Sequence, residues 1–365
     1  MGAKVSLYDK VLGSLYGVAL GDAMGMPGEL WPRARVLAHF GKIDRFLPGP
    51  DGHFVVDGFV AGQVTDDTQQ AIMLAEAIVA EDGDVIPETV AKHLVAWADR
   101  VGASEGNFLG PSSARAIDKL RNGGSLWETG LTGETNGAAM RIAPVGLVSR
   151  LDELEDLVDR VEASAAMSHR TDVAISGASA IAAAIAAAVE ADPADPAAID
   201  AVVAASLAGA RAGAMRGVRV VAPSIARRIE LAVSVVRAAT DDDAALAELY
   251  DVVGASVATT DTVPAAIGLF VLAGGDPYRS ALLAANLGGD TDTIGAVVGG
   301  ITGAFTGITG IPESLRAHLD AVNDLPFESL ATALAEFRSR PFRPNRPGVL
   351  QPLPEGATHE PHNTD

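Results

Sequence analysis

Glycine recurs every fourth residue in two stretches of the chain, at Gly13, Gly17, Gly21 and Gly25 near its start and at Gly295, Gly299, Gly303 and Gly307 near its end. Residues four apart share one helix face, so each stretch is expected to be a helix with a bare stripe that lets another backbone come close. Glycine in a helix costs up to about 1 kcal/mol relative to alanine, so its repetition in one register favours tight packing over a loose loop. Between the stripes, apolar residues at helical spacing predict helices near residues 69–80, 86–100, 114–121, 154–167 and 173–189. After the break Asp192-Pro193-Ala194-Asp195-Pro196, further helices are expected at 197–213, 223–239, 244–254, 262–273 and 277–286. Residues 31–62 hold three prolines and no helical period, and read as an irregular surface excursion with room for one short strand pair at 54–60. No other alternation of period two persists, so the fold class is all-α. No serine- or glycine-rich linker interrupts the pattern, which predicts a single domain over 1–342 followed by a disordered, proline-rich tail at 343–365.

Composition sharpens this picture. With 365 residues and 48% hydrophobic content the chain can bury a substantial core. The uncharged stretches 173–189 and 294–311 lack aromatic belts and flanking basic residues, so they read as buried helices and not membrane spans. A net charge of 27 − 47 = −20 argues against a general grip on nucleic acid or anionic lipid. The absence of cysteine excludes disulfides and thiolate chemistry and suits a reducing compartment. The N-terminus shows no secretory pattern, so a cytoplasmic location is expected. Nothing in these patterns sets an oligomeric state.

Two short clusters carry the chemistry. Thr65-Asp66-Asp67-Thr68 opens one apolar helix, and Asp290-Thr291-Asp292-Thr293, behind Gly288 and Gly289, opens another. Each cluster alone is explained by helix capping, because threonine is a good N-cap and acids in a first turn offset the helix dipole. As a pair they offer four carboxylates and four hydroxyls, an all-oxygen set suited to Mg²⁺, Ca²⁺ or Mn²⁺. Glycine-striped helices pack closely enough to bring such turns together around two divalent ions.

With these clusters stand Gly21-Asp22-Ala23-Met24-Gly25-Met26-Pro27-Gly28-Glu29, Asn136-Gly137-Ala138-Ala139-Met140-Arg141 and Ser168-His169-Arg170. In this order, and closing with Gly289-Asp290-Thr291-Asp292-Thr293-Ile294-Gly295, the motifs resemble those of the ADP-ribosylglycohydrolase family over roughly residues 10–312. The resemblance implies an orthogonally packed helical domain with a binuclear magnesium centre in a cleft, Mn²⁺ being the alternative ion. It places Thr65, Asp66, Asp67, Asp290, Asp292 and Thr293 on the metals, with Thr291 pointing away, and Glu29 on an adjustable segment over the reacting ribose. Glu29 is expected to act as acid or base, with Asp66 and Asp292 as competing candidates. Asn136, Gly137, Met140, Arg141 and His169 are expected to approach substrate, Arg141 at a diphosphate. Family members acting on modified proteins have a glycine-rich, threonine-ended segment where this chain has Gly110-Pro111-Ser112-Ser113-Ala114-Arg115, so Ser112 and Ser113 are the candidates for phosphate there. The implied activity is Mg²⁺-dependent hydrolysis of an N- or O-ribosyl bond in an ADP-ribosylated protein or a related small molecule. A hydrolase of nucleosides or phosphate esters, and a silent crystallin-like protein, are the alternatives.

Overall fold

The glycine stripes meet each other. In a computed structural model, which describes residues 5–102 and 110–346, they lie on the helices Leu7–Gly25 and Thr291–Thr306. A Cβ on Gly21 would stand 1.9 Å from the carbonyl oxygen of Gly295, one on Gly17 2.1 Å from that of Gly299, and one on Gly13 2.5 Å from that of Gly303. As one number rises the other falls, so the helices run antiparallel with their backbones in direct contact. Gly307 leaves the stripe: it caps the second helix at φ 77°, a conformation that suits glycine.

This pair forms the centre of an all-helical body, and no strand occurs among the described residues. Helix Asp172–Glu190 is buried along almost its whole length, and packs closely on Ala198–Gly213, where a Cβ on Gly209 would meet the Ser179 carbonyl oxygen at 2.3 Å. It is long and apolar enough to cross a membrane, but 94% of that window is buried inside the protein. The buried ammonium of Lys10 donates to the carbonyls of Ala188, Ala191 and Phe305, placing a positive charge where two helices present unpaired carbonyls.

Several elements differ from the expectation. Residues 31–62 contain a helix, Arg33–Phe40, and residues 54–58 form turns in place of the strand pair anticipated at 54–60. Helices Ala143–Val148, Glu313–Val322 and Phe327–Ser339 were not foreseen. All four start at a proline: Pro32, Pro312 and Pro326 stand at the N-cap and Pro144 in the first turn, where a missing N–H and a preset φ favour helix initiation. Within the expected tail, Arg343 donates to the buried Asp84 at 3.0 Å and Asn345 exchanges two hydrogen bonds with the backbone of Val85. Residues 347–365 lie outside the described residues.

Candidate active site

The acidic turns sit at one end of the glycine-striped pair. Helix Asp66–Ala80 begins with Thr65 as its N-cap, and Asp22, fully buried on Leu7–Gly25, organises that beginning. Both Asp22 carboxylate oxygens accept from the Thr65 backbone N–H at 3.0 Å, and Oδ2 also accepts from the Thr68 N–H at 3.1 Å and the Thr68 hydroxyl. One buried acid thus satisfies the donors a helix start leaves over, which frees the cluster's own carboxylates.

The second turn is aimed by Gly288 and Gly289, at φ 82° and 83°. A Cβ on Gly289 would lie 2.0 Å from the Ala255 carbonyl oxygen, the group that accepts from the Asp290 N–H at 2.7 Å. Asp290 is the N-cap of Thr291–Thr306, but its side chain makes no capping bond. Instead it accepts from the Asn136 amide, which also donates to Thr262. Thr291 donates to the Gly25 carbonyl at 2.7 Å and so turns away from the cleft, while Asp292 and Thr293 line it.

Glu29 enters from a third segment. Gly289 pairs with this strip of backbone, accepting from the Leu30 N–H at 2.7 Å and donating to the Trp31 carbonyl at 2.8 Å, and Leu30 is held at φ 55°, a strained value for leucine. The Glu29 carbonyl accepts from His53 Nε2 at 3.0 Å, while His53 Nδ1 accepts from the Val55 and Val56 N–H groups. Those bonds make His53 a neutral ring protonated at Nε2, a conclusion that agrees with the burial that holds its pKa below the usual value.

Glu29, Asp66, Asp67, Asp290, Asp292 and Thr293 line one cleft of about 400 Å³ together with Ser113, Asn136, Gly137 and Met140. Thr65 lies just behind it, capping its helix and donating to Asp67. Three further sequence candidates are not on its wall. Arg141 and His169 are wholly buried behind it, and Ser112 is held in a hydrogen bond from Thr135 at 3.0 Å. Arg141 therefore meets no diphosphate in this arrangement; it donates to Gln70 and Ser168 instead.

Burial, joined by mutual repulsion, raises these acids: Asp66 to about 8, with the charges of Asp22 and Asp290 adding to the effect of burial, and Glu29, Asp67 and Asp292 well above their usual range. Asp290 and Asp66 push Glu29 up, and Glu29, Asp67 and Asp290 push Asp292 up. Carboxyls crowded in this way favour shared protons or a cation among them. Among the described residues, no three acidic or imidazole side chains already converge closely enough to hold an ion. Several of their oxygens are taken up by Thr65, Gln70 and Asn136. Two are not: Glu29 Oε2 and Asp67 Oδ1 are buried with no hydrogen-bond partner. Orphaned carboxylate oxygens in an all-oxygen cluster fit a hard divalent cation.

Sequence reasoning missed Asp22, His53, Thr135 and Gln70. Asp22 gave one readable signal, an acid next to a stripe glycine in the otherwise uncharged run that follows the first turn of its helix.

Comparison with known proteins identifies the family and the fold. The family model described as ADP-ribosylglycohydrolase matches residues 3–342. The uncharacterized protein YegU of Escherichia coli (strain K12) is 43% identical over 332 residues, covering 91% of this chain and 98% of its own. The ADP-ribosylarginine hydrolase Tri1 of Pseudomonas putida (strain GB-1) is 26% identical over 311 residues, 83% of this chain and 72% of its own. A solved structure titled ADP-ribosylglycohydrolase-related protein complex shares the fold at a TM-score of 0.67, with 24% identity and coverage of 91% of this chain and 99% of that one. The chain belongs to the ADP-ribosylglycohydrolase family, hydrolases of glycosidic bonds.

Proposed function

We propose that the cleft hydrolyses an N- or O-ribosyl bond of an ADP-ribosylated protein or a related small molecule, with two divalent ions, Mg²⁺ or Mn²⁺, held by Thr65, Asp66, Asp67, Asp290, Asp292 and Thr293. One observation carries the reading: acids from three distant segments, around Glu29, Asp66 and Asp290, line the same cleft, and two of their buried oxygens lack partners. The name of Tri1 as an ADP-ribosylarginine hydrolase supports a modified arginine as one substrate.

Cleavage at the anomeric carbon passes through an oxocarbenium-like state, so the protein must orient the ribose, assist the leaving group and aim a water. Ions at such a cluster supply charge neutralisation and hold sugar hydroxyls. Glu29 sits on the wall with Oε2 uncommitted, and its backbone is pinned by Leu30 to Gly289 and by His53. That combination of a fixed main chain and an unengaged carboxyl oxygen suits proton transfer at the glycosidic bond. Asn136 keeps Asp290 oriented, and Gly137 lets the His169 ring pack directly behind the wall, where a Cβ would stand 2.7 Å from it.

The test incubates the full chain and Mg²⁺ with ADP-ribosylated arginine peptides, ribosylated nucleosides and phosphomonoesters. Released ADP-ribose or ribose supports the proposal; release of phosphate alone, or no turnover, refutes it. Glu29→Gln is expected to retain Mn²⁺ binding and lower kcat by roughly 10²- to 10⁴-fold. Full activity in that variant removes Glu29 from the acid or base role.

A further inference from the structure

Behind the cleft wall runs an unbroken series of hydrogen bonds whose direction follows from its two ends: a guanidinium only donates, and a hydroxyl has one hydrogen to give. Arg141, with no exposed surface, donates to Gln70 Oε1 at 2.9 Å and to Ser168 Oγ at 2.8 Å. Since Gln70 accepts with its oxygen, its amide nitrogen is the group that donates to Asp66 Oδ2 at 2.9 Å. At the other end the single hydroxyl hydrogen of Thr135 goes to Ser112 Oγ at 3.0 Å, so at its contact with His169 Nε2, also 3.0 Å, Thr135 accepts and the ring donates. His169 is wholly buried and held neutral, so with its proton on Nε2 it accepts at Nδ1, where the Ser168 hydroxyl donates at 2.8 Å. The Gln70 amide orientation thus follows from Arg141 and the His169 tautomer from Thr135.

The series joins two parts of the cleft that the chain keeps far apart: Asp66 at the first acidic turn, and the start of helix Pro111–Arg121, whose Pro111 and Ser113 line the cleft. Resting on the function proposed above, we propose that Arg141 is the positioning residue of this site. It sets the Asp66 carboxylate through Gln70 and the Ser112 hydroxyl through Ser168, His169 and Thr135, and so holds the acidic turn and the Pro111 turn in register. It touches neither substrate nor ion. Lysine does not replace it, because a single ammonium lacks the planar fork that reaches two acceptors in fixed directions.

The first test reads the longer arm directly. Nitrogen NMR of the full chain, with isotope-labelled histidine, is expected to show His169 as a neutral ring protonated at Nε2 throughout about pH 5 to 8, where an ordinary histidine titrates. Ser168→Ala, which removes the donor to Nδ1 while leaving Arg141 on Gln70, is expected to change that signature, and Arg141→Lys to change it as well. A wild-type ring protonated at Nδ1, or a signature unmoved by both substitutions, overturns the proposal. The second test reads the shorter arm by calorimetric titration with Mn²⁺. Gln70→Leu is expected to weaken binding about tenfold, the scale of a lost bond to a metal ligand, and Ser168→Ala by less than about twofold. Equal losses, or none in Gln70→Leu, overturn the positioning of Asp66. A wild type that binds no Mn²⁺ counts against the metal-dependent function, while the histidine signature still decides whether the relay exists.

Discussion

The contact between the striped helices should tie packing to chemistry in a graded way. At Gly21 an added Cβ would stand 1.9 Å from the Gly295 carbonyl oxygen, and ordinary contact begins at 3.4 Å, so the helices must part by up to 3.4 − 1.9 = 1.5 Å. At Gly13 the distance to the Gly303 oxygen is 2.5 Å, and the same subtraction gives 0.9 Å. The obstacle in both cases is backbone, which cannot rotate aside. Alanine in place of glycine returns up to about 1 kcal/mol of helix propensity. Overpacking of a close interface costs about 1–3 kcal/mol or more. Both variants should therefore be destabilised by a net amount on the order of 1–2 kcal/mol, Gly21→Ala the more.

Their effects on the site should differ much more. Gly21 precedes Asp22, whose carboxylate fixes the start of Asp66–Ala80, and one turn on Gly25 faces Thr291 beside Asp292. Gly13 faces the far end of the pair, near the Gly307 cap. A misplacement of about 1 Å in a reacting constellation can lower rate by about 10²-fold. Urea unfolding paired with Mn²⁺ titration and turnover of each variant checks this. Gly21→Ala should lose at least about tenfold in kcat, and Gly13→Ala little. A Gly21→Ala protein as stable as the wild type would refute the tight contact, and equal losses of turnover in both would refute the link between stripe and site.

Three further outcomes follow from the site's geometry. Mg²⁺ or Mn²⁺ at about 100 times its dissociation constant should stabilise the chain by about 2.7 kcal/mol in thermal unfolding, an effect reversed by chelation and abolished by Asp292→Asn; no response of the wild type to either ion would contradict metal binding at this cluster. Asp22→Asn, which turns an amide donor toward the Thr65 and Thr68 donors, should cost about 1–3 kcal/mol in urea unfolding. The His53 pKa is held below 6.5 by burial, so the folded state prefers the neutral ring; stability is complete above that pH and declines as pH falls below it, a step that His53→Gln should flatten in melting curves.

What could be read from the chain, and what could not, divides along a physical line. The glycine stripes were legible because a period of four is a local signal and repeated glycine is unfavourable unless something approaches closely. The acidic turns were legible for the same reason, as carboxylates and hydroxyls concentrated in four residues each. Four of the unforeseen helices start at Pro32, Pro144, Pro312 and Pro326, where proline at the N-cap or in the first turn opens a helix and does not break one. Asp22 and Arg141 were beyond local reading in a deeper sense. A charged side chain in isolation prefers water, so Arg141 reads naturally as a hook for phosphate; its burial is favourable only because Gln70 and Ser168 supply acceptors from other segments. Asp22 likewise depends on donors that Thr65 and Thr68 present only after the first helix meets the acidic one. Ligand-bearing residues announce themselves by clustering, whereas the residues that aim them are recognisable only once distant segments have come together.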